Sequence, residues 1–166
     1  MILFISLFGL PADKAPDFSL RDFDGVYYNL YDALKEGPVV LDFWATWCKP
    51  CLKSMPMLDS LYRKYKKSHL QVFGICLDTK GSIARAKSLW NTKKLSYTPL
   101  WDWKGEVQKK YGIISLPTFI IIDGEGRIVL EKKGYTKKER GEIEDSLRAV
   151  LIRFILEKAK KRAIKQ

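Results

Sequence analysis

Two cysteines separated by two residues, Cys48 and Cys51, are the residues of this chain whose types and spacing are best suited to chemistry. They follow an apolar run at residues 39–45 and begin a segment with helical periodicity. We therefore expect a strand to deliver both thiols to the first turn of a helix, where the dipole and free N–H groups favour a thiolate. A thiolate at Cys48 can attack a disulfide, and Cys51 can resolve the mixed disulfide. The pattern predicts reversible dithiol–disulfide exchange.

The same spacing also occurs in pairs of core cysteines and in half of a zinc site, and the pattern alone leaves both alternatives open. Cys76 is the third cysteine and His69 the single histidine, so one chain cannot supply a cysteine-only tetrahedral site. A metal cluster shared between two copies is a further alternative. Three cysteines are also too few for a disulfide framework. We predict neither a metal nor an organic cofactor.

Two charged residues beside the cysteine pair can influence its chemistry. Asp42 interrupts the apolar run, and a carboxyl group buried there without a partner has a raised pKa. Such a group can pass a proton to and from Cys51, although a hydrogen-bonded structural aspartate is the alternative. Lys49 lies between the cysteines, and its charge stabilises the Cys48 thiolate, which makes the disulfide slightly more oxidising.

The pattern of the remaining chain indicates the elements that must position these groups. A turn signal at residues 22–25 between two short extended segments predicts a hairpin. Further strands are predicted at residues 39–45, 70–77, 97–101, 118–122 and 127–131. Helices are predicted at residues 31–36, 48–66, 82–92 and 106–111, and from residue 136 onward. Helices that alternate with strands, followed by a hairpin and a helix, imply a mixed sheet with helices on its faces.

Composition and charge narrow the classes of function. With 166 residues, 46% of them hydrophobic, the chain is long and apolar enough for one packed domain. The net charge of +11 is spread over many lysine pairs, and no nucleic-acid-binding module is recognisable. The charge therefore favours simple solubility, an acidic partner or an anionic membrane surface.

The two ends of the chain differ from the middle. Residues 1–10 are apolar but too short to span a bilayer, which needs about 20 residues. An export signal, the remnant of a membrane anchor and an N-terminal strand all stay open. We predict a signal or anchor remnant at residues 1–12, a domain at 13–155 and a basic helix end at 156–166. The predicted location is extracytoplasmic (periplasmic), with or without a membrane tether, and the alternative is cytoplasmic.

The C-terminal segment combines an apolar stripe, suited to covering the sheet, with a basic end. The stripe consists of Ile143, Leu147, Val150, Leu151, Phe154 and Ile155. We expect the basic end to be a solvated helix terminus, and contact with anionic lipid or an acidic partner is the alternative.

These motifs resemble those of a known family. Residues 41–51 (LDFWATWCKPC) look like the active-site segment of thioredoxin-fold proteins, and residues 116–118 (LPT) resemble their cis-proline loop. Residues 15–18 (APDF) and the extra strand–helix material between residues 77 and 111 resemble the TlpA/ResA-type exported thiol–disulfide oxidoreductases. The resemblance implies a thioredoxin-like α/β fold: a mixed central β-sheet flanked by helices, with an N-terminal β-hairpin and a central strand–helix insertion.

The resemblance also implies roles for individual residues. Cys48 would be the exposed nucleophile, Cys51 the buried resolving thiol, and Pro117 would contact the disulfide in its cis form. The substrate-contact surface would include Trp47, Lys49, Pro50 and the backbone of Leu116.

One departure from the exported branch concerns proton transfer. Asp42 matches the buried aspartate of thioredoxin itself, whereas many exported relatives carry a glutamate at the position of Ser54. This departure weakens an assignment to cytochrome c maturation in particular.

We therefore predict an enzyme that exchanges or reduces disulfides of proteins, in cytochrome c maturation or in extracytoplasmic redox homeostasis. Its reductant would be a membrane thiol-transfer protein or, in the cytoplasm, a flavin-dependent reductase. The alternatives are an oxidase that donates its disulfide and a non-catalytic carrier or copper-delivery module that uses both thiols as soft ligands.

Overall fold

A seven-stranded mixed sheet forms the centre of the computed structural model, which describes residues 14–164. The strands are β1 (Ser19–Asp22), β2 (Tyr27–Asn29), β3 (Val39–Trp44), β4 (Gln71–Cys76), β5 (Thr98–Trp101), β6 (Thr118–Ile122) and β7 (Ile128–Lys133). Their order in the sheet is β2-β1-β5-β4-β3-β6-β7. The helices are α1 (Leu30–Glu36), α2 (Lys49–Tyr65), α3 (Ile83–Thr92), α4 (Glu106–Lys110) and α5 (Lys137–Ile164).

The central strand β3 is buried along its whole length, which explains why its residues other than Asp42 are apolar. It pairs in parallel with β4 and antiparallel with β6, while β4 pairs in parallel with β5. The β1–β2 hairpin extends the sheet by antiparallel pairing of β1 with β5. The predicted mixed sheet and N-terminal hairpin are therefore confirmed.

Helices cover both faces of the sheet. One core cluster joins the sheet to α2, α3 and α5, and it contains Trp44, Met55, Leu58, Trp90 and Leu147. The other joins the sheet to α1 and α4, and it contains Leu30, Leu34, Phe43, Val107 and Ile120. Such apolar layers on both sides of β3 hold its C-terminal end, and the cysteines that follow it, in a fixed position.

The last helix is longer than the sheet on which it packs. α5 has 28 residues, and its start shows the predicted capping box, in which the Glu139 carboxylate accepts a hydrogen bond from the Thr136 N–H at 2.7 Å. Ile155 was expected in the stripe that covers the sheet, but its side chain is exposed. The sheet is narrower than the helix is long, so the packed stripe does not continue to the helix end.

The segment predicted as a signal or anchor remnant, residues 1–12, lies outside the described residues. Between residues 14 and 164, no helix combines the length and apolarity that a membrane crossing requires.

Candidate active site

Cys48 forms the N-terminal cap of α2. Its sulfur accepts a hydrogen bond from the backbone N–H of Cys51 at 3.2 Å, and no acidic residue occupies the first helical turn. Pro50 lies in that turn, where the N–H it lacks would have no partner within the helix. When the pair is reduced, the N–H group and the positive end of the dipole favour a thiolate at Cys48.

The two cysteines form a disulfide and differ in access. Cys48 retains 5% of its surface and lines a groove, whereas Cys51 retains none. The resemblance implied an exposed nucleophile, and the structure corrects this, because capping the helix turns the Cys48 side chain back onto its first turn. An incoming sulfur can therefore approach Cys48 from the groove but cannot approach Cys51.

The groove beside Cys48 has a volume of about 560 Å³ and an apolar rim. Trp47 is 71% exposed and Ile114 is 86% exposed, which is unusual for side chains of this size. The structure brings four sequence-predicted contact residues to this groove: Trp47, Lys49, Pro50 and Leu116. Sequence reasoning missed the others, which are Leu77, Gln108, Ile113, Ile114 and Ser115.

The loop before β6 lines the same groove as Cys48. Its Leu116–Pro117 peptide bond is cis, and Pro117 is buried. The backbone N–H and C=O of Leu116 form no hydrogen bond with any residue that the structure describes. These groups are therefore free to pair with an extended chain that lies in the groove.

Asp42 lies in the middle of β3 and is fully buried. Its Oδ2 accepts a hydrogen bond from the Tyr97 hydroxyl at 3.2 Å, while its Oδ1 has no hydrogen-bond partner among the described residues. Burial raises the pKa of Asp42 from 3.8 to about 7, and the Tyr97 hydrogen bond opposes this rise. The carboxyl group can therefore both release and accept a proton near neutral pH.

Tyr97 is a site residue that sequence reasoning missed. It reaches Asp42 because Gly74, the partner of Asp42 on β4, has no side chain to block the space. A Cβ on Gly74 would lie 2.5 Å from the Trp90 ring and 3.0 Å from the Tyr97 ring. A glycine inside an apolar strand is a signal of such close approach, so Gly74 could have directed attention to this region.

Asp78, also missed from the sequence, holds the turn that precedes the cysteines. Its carboxylate accepts hydrogen bonds from the Thr46 N–H at 2.8 Å, the Thr46 hydroxyl at 2.7 Å and the Cys76 thiol at 3.3 Å. Cys76 is buried, and burial raises the pKa of its thiol well above the ordinary value. We therefore expect Cys76 to be unreactive and Asp78 to fix the position of Trp47 next to Thr46.

Ser54 occupies the position where the exported branch often carries a glutamate. It is buried, and its hydroxyl donates to the Cys51 carbonyl at 2.9 Å. This hydroxyl bonds within the helix and cannot replace a carboxylate in proton transfer, which leaves Asp42 as the buried acid on the strand leading to the cysteines. Between residues 14 and 164, no three or more His, Cys, Asp or Glu side chains converge in a way suited to a metal ion.

We expect the exposed apolar rim to contribute to substrate binding. Ile114→Ser should raise the KM for a protein disulfide about fivefold and change kcat little, because it removes contact area shared by the ground state and the transition state. Steady-state reduction of a protein disulfide would measure this, with Val129→Ser on β7 as a matched exposed apolar control. An equal loss with a small disulfide, which cannot reach the rim, would contradict a binding role for Ile114.

The AhpC/TSA family matches residues 11–131. The thiol-disulfide oxidoreductase ResA of Bacillus thuringiensis subsp. konkukian (strain 97-27) is 37% identical over 137 residues, which is 82% of this chain and 76% of that protein. The thioredoxin-like protein YneN of Bacillus subtilis (strain 168) is 37% identical over 129 residues, 77% of this chain and 75% of that protein.

Solved structures show the same fold. A candidate thiol:disulfide interchange protein DsbE of Chlorobium tepidum superposes with a TM-score of 0.78 and 33% identity, covering 85% of this chain and 97% of that one. StoA from Bacillus subtilis superposes with a TM-score of 0.67 over 82% of this chain and 99% of that one, and its 24% identity shows the fold alone. The predicted thioredoxin-like fold is confirmed.

Proposed function

Because the chain belongs to the AhpC/TSA family, together with the ResA thiol–disulfide oxidoreductases, we propose that it reduces or exchanges disulfides of proteins through Cys48 and Cys51. The enzyme is a thiol–disulfide oxidoreductase, and proteins with disulfides are its class of substrate.

In the reducing direction, the Cys48 thiolate attacks one sulfur of the substrate disulfide and displaces the other as a thiolate. The product is a mixed disulfide between Cys48 and the substrate. Cys51 then gives its proton to the Asp42 carboxylate and attacks the Cys48 sulfur. This step releases the second substrate thiolate and leaves the Cys48–Cys51 disulfide, so two electrons pass from the enzyme to the substrate.

One observation carries this assignment: Cys48 caps α2 and lines the open groove, while Cys51 beside it is inaccessible. A substrate can form a mixed disulfide only with Cys48, and Cys51 is held within reach to resolve it. The free backbone of Leu116 gives an extended substrate segment a place to pair next to the reacting sulfur.

We propose the reducing or exchanging direction because a buried acid can take the proton of the resolving thiol, and because Lys49, the cation next to Cys48 in the sequence, is exposed and has little influence. Equilibration in graded dithiol buffers, followed by tryptophan fluorescence with Cys48→Ser as control, would test this. We expect a potential at or below about −250 mV, in the thioredoxin range. A value near about −120 mV would instead identify an oxidant that donates its disulfide.

We further propose an extracytoplasmic location and a membrane thiol-transfer protein as the electron donor, with cytochrome c maturation as one setting. The apolar residues 1–10 and the net charge of +11 support proximity to a membrane. Digestion of the chain by a protease added to spheroplasts, whose inner membrane is intact, would test the location. Protection equal to that of a cytoplasmic marker would favour the cytoplasm and a flavin-dependent reductase.

A further inference from the structure

α5 carries a second apolar stripe on the side opposite its packed stripe. At 3.6 residues per turn, Ile152 and Leu156 lie about half a turn from Ile143 and Leu147, which are fully buried, and Ile155 lies about a third of a turn from Ile143. The exposed fractions of Ile152, Ile155 and Leu156 are 57%, 43% and 56%. The exposed residues Ala159 and Ala163 continue this stripe at helical spacing. We call these five residues the outer stripe of α5.

Basic residues flank the outer stripe. Between residues 148 and 164 the chain has six basic residues and one acidic residue, Glu157, whose carboxylate bonds the Arg153 guanidinium at 3.0 Å. The other five form no ion pair with a residue that the structure describes: Arg148, Lys158, Lys160, Lys161 and Arg162. An apolar stripe with uncompensated positive charge on both sides suits an anionic surface with an apolar layer beneath it.

The position of the outer stripe in the fold leaves the active site accessible. Gly134, just before α5, donates its N–H to the Pro117 carbonyl at the groove end of the sheet. Phe154 packs near Gly124 and His69, which lie at the opposite end of the sheet, where β6 ends and β4 begins. A surface that contacts residues 152–164 therefore lies away from Cys48, and the groove stays open to proteins in solution.

We propose that the outer stripe of α5 binds the surface of a membrane containing anionic lipids. The helix lies in the interface, with its apolar side chains among the upper acyl chains and its lysines and arginines near the headgroups. A second copy of this chain is a poorer occupant, because each copy has a net charge of +11 and the contact would bring basic helix ends together.

Vesicle sedimentation with the full chain tests the proposal. The probes are vesicles of phosphatidylcholine alone and of phosphatidylcholine mixed with phosphatidylglycerol, at low and at high salt. We expect at least about tenfold tighter binding to the anionic vesicles at low salt, decreasing as salt is added. Equal binding to both vesicle types, or none to the anionic ones, would overturn the proposal.

Paired variants separate the outer stripe from other causes of binding, including residues 1–10. Ile152→Ser/Leu156→Ser should weaken binding to anionic vesicles about tenfold, whereas Val26→Ser/Val129→Ser, which replaces exposed apolar side chains outside α5, should not. Lys160→Gln/Arg162→Gln should weaken it similarly, whereas Lys80→Gln/Arg85→Gln removes the same charge near the start of α3 and should have less effect.

Two outcomes would contradict the assignment of the outer stripe. The first is that both α5 variants bind like the unmodified chain while retaining its helical circular dichroism. The second is that sedimentation equilibrium shows a dimer that Ile152→Ser/Leu156→Ser dissociates, which would identify a second copy as the occupant. Disulfide reduction in solution does not depend on this stripe, so it should be unchanged in all four variants.

Discussion

Replacing Cys48 with serine should reduce disulfide-reductase activity by at least about a thousandfold, because no other described thiol can make the first attack. Cys51 is inaccessible, and Cys76 is buried with a raised pKa. The measurement is the steady-state reduction of a protein disulfide by the prereduced enzyme. Cys76→Ser is the matched control and should retain full activity.

Cys51→Ser should behave differently from Cys48→Ser. The first attack remains possible, but the mixed disulfide with Cys48 cannot be resolved, so it should accumulate. Non-reducing electrophoresis followed by mass spectrometry would identify the trapped substrate and the sulfur that holds it. If the trapped sulfur belonged to Cys51 in a Cys48→Ser variant instead, the proposed order of attack would be wrong.

Replacing Asp42 with asparagine should change how stability depends on pH. The pKa of Asp42 is about 7 in the folded protein, against 3.8 for its ordinary value, so between these values the folded state binds more protons than the unfolded chain. The free energy of unfolding of the unmodified protein therefore falls as pH rises through this window, by about 4 kcal/mol in total above pH 7. Asp42→Asn removes this loss.

Denaturant unfolding of both proteins at several pH values would measure the difference. The free energy of unfolding of Asp42→Asn, relative to that of the unmodified protein, should increase by about 4 kcal/mol between pH 4 and pH 8. A pH-independent difference in stability between the two proteins does not affect this change. Tyr97→Phe is the informative companion, because losing its hydrogen bond to Oδ2 raises the pKa of Asp42 further and moves the window to higher pH. A pH-independent difference for Asp42→Asn would contradict a raised pKa.

The same variant should slow resolution of the mixed disulfide. Asparagine cannot accept the Cys51 proton, so we expect a loss of about tenfold to a hundredfold near pH 7. The loss should shrink at high pH, where the thiol ionises without help. A stable Asp42→Asn variant with an unchanged pH–rate profile would assign Asp42 a purely structural role.

Local patterns in the sequence were enough to predict much of this protein. The cysteine pair after a largely apolar run predicted a helix that begins at the first thiol, and Cys48 caps α2. The hairpin turn at residues 22–25 and the strand pattern predicted the mixed sheet. These features are encoded locally because strand alternation, helix periodicity and turn residues act over a few neighbouring positions.

Other features depended on contacts between distant parts of the chain. Tyr97 bonds Asp42 across 55 positions, through space left by Gly74, and no local pattern pairs them. Ile114 is exposed although its neighbour Ile113 is buried. The sequence determined which groups are available for redox chemistry. Only the tertiary structure decided how little of Cys48 is exposed, which hydroxyl bonds Asp42 and which stripe of α5 stays uncovered, because burial depends on what packs against each surface.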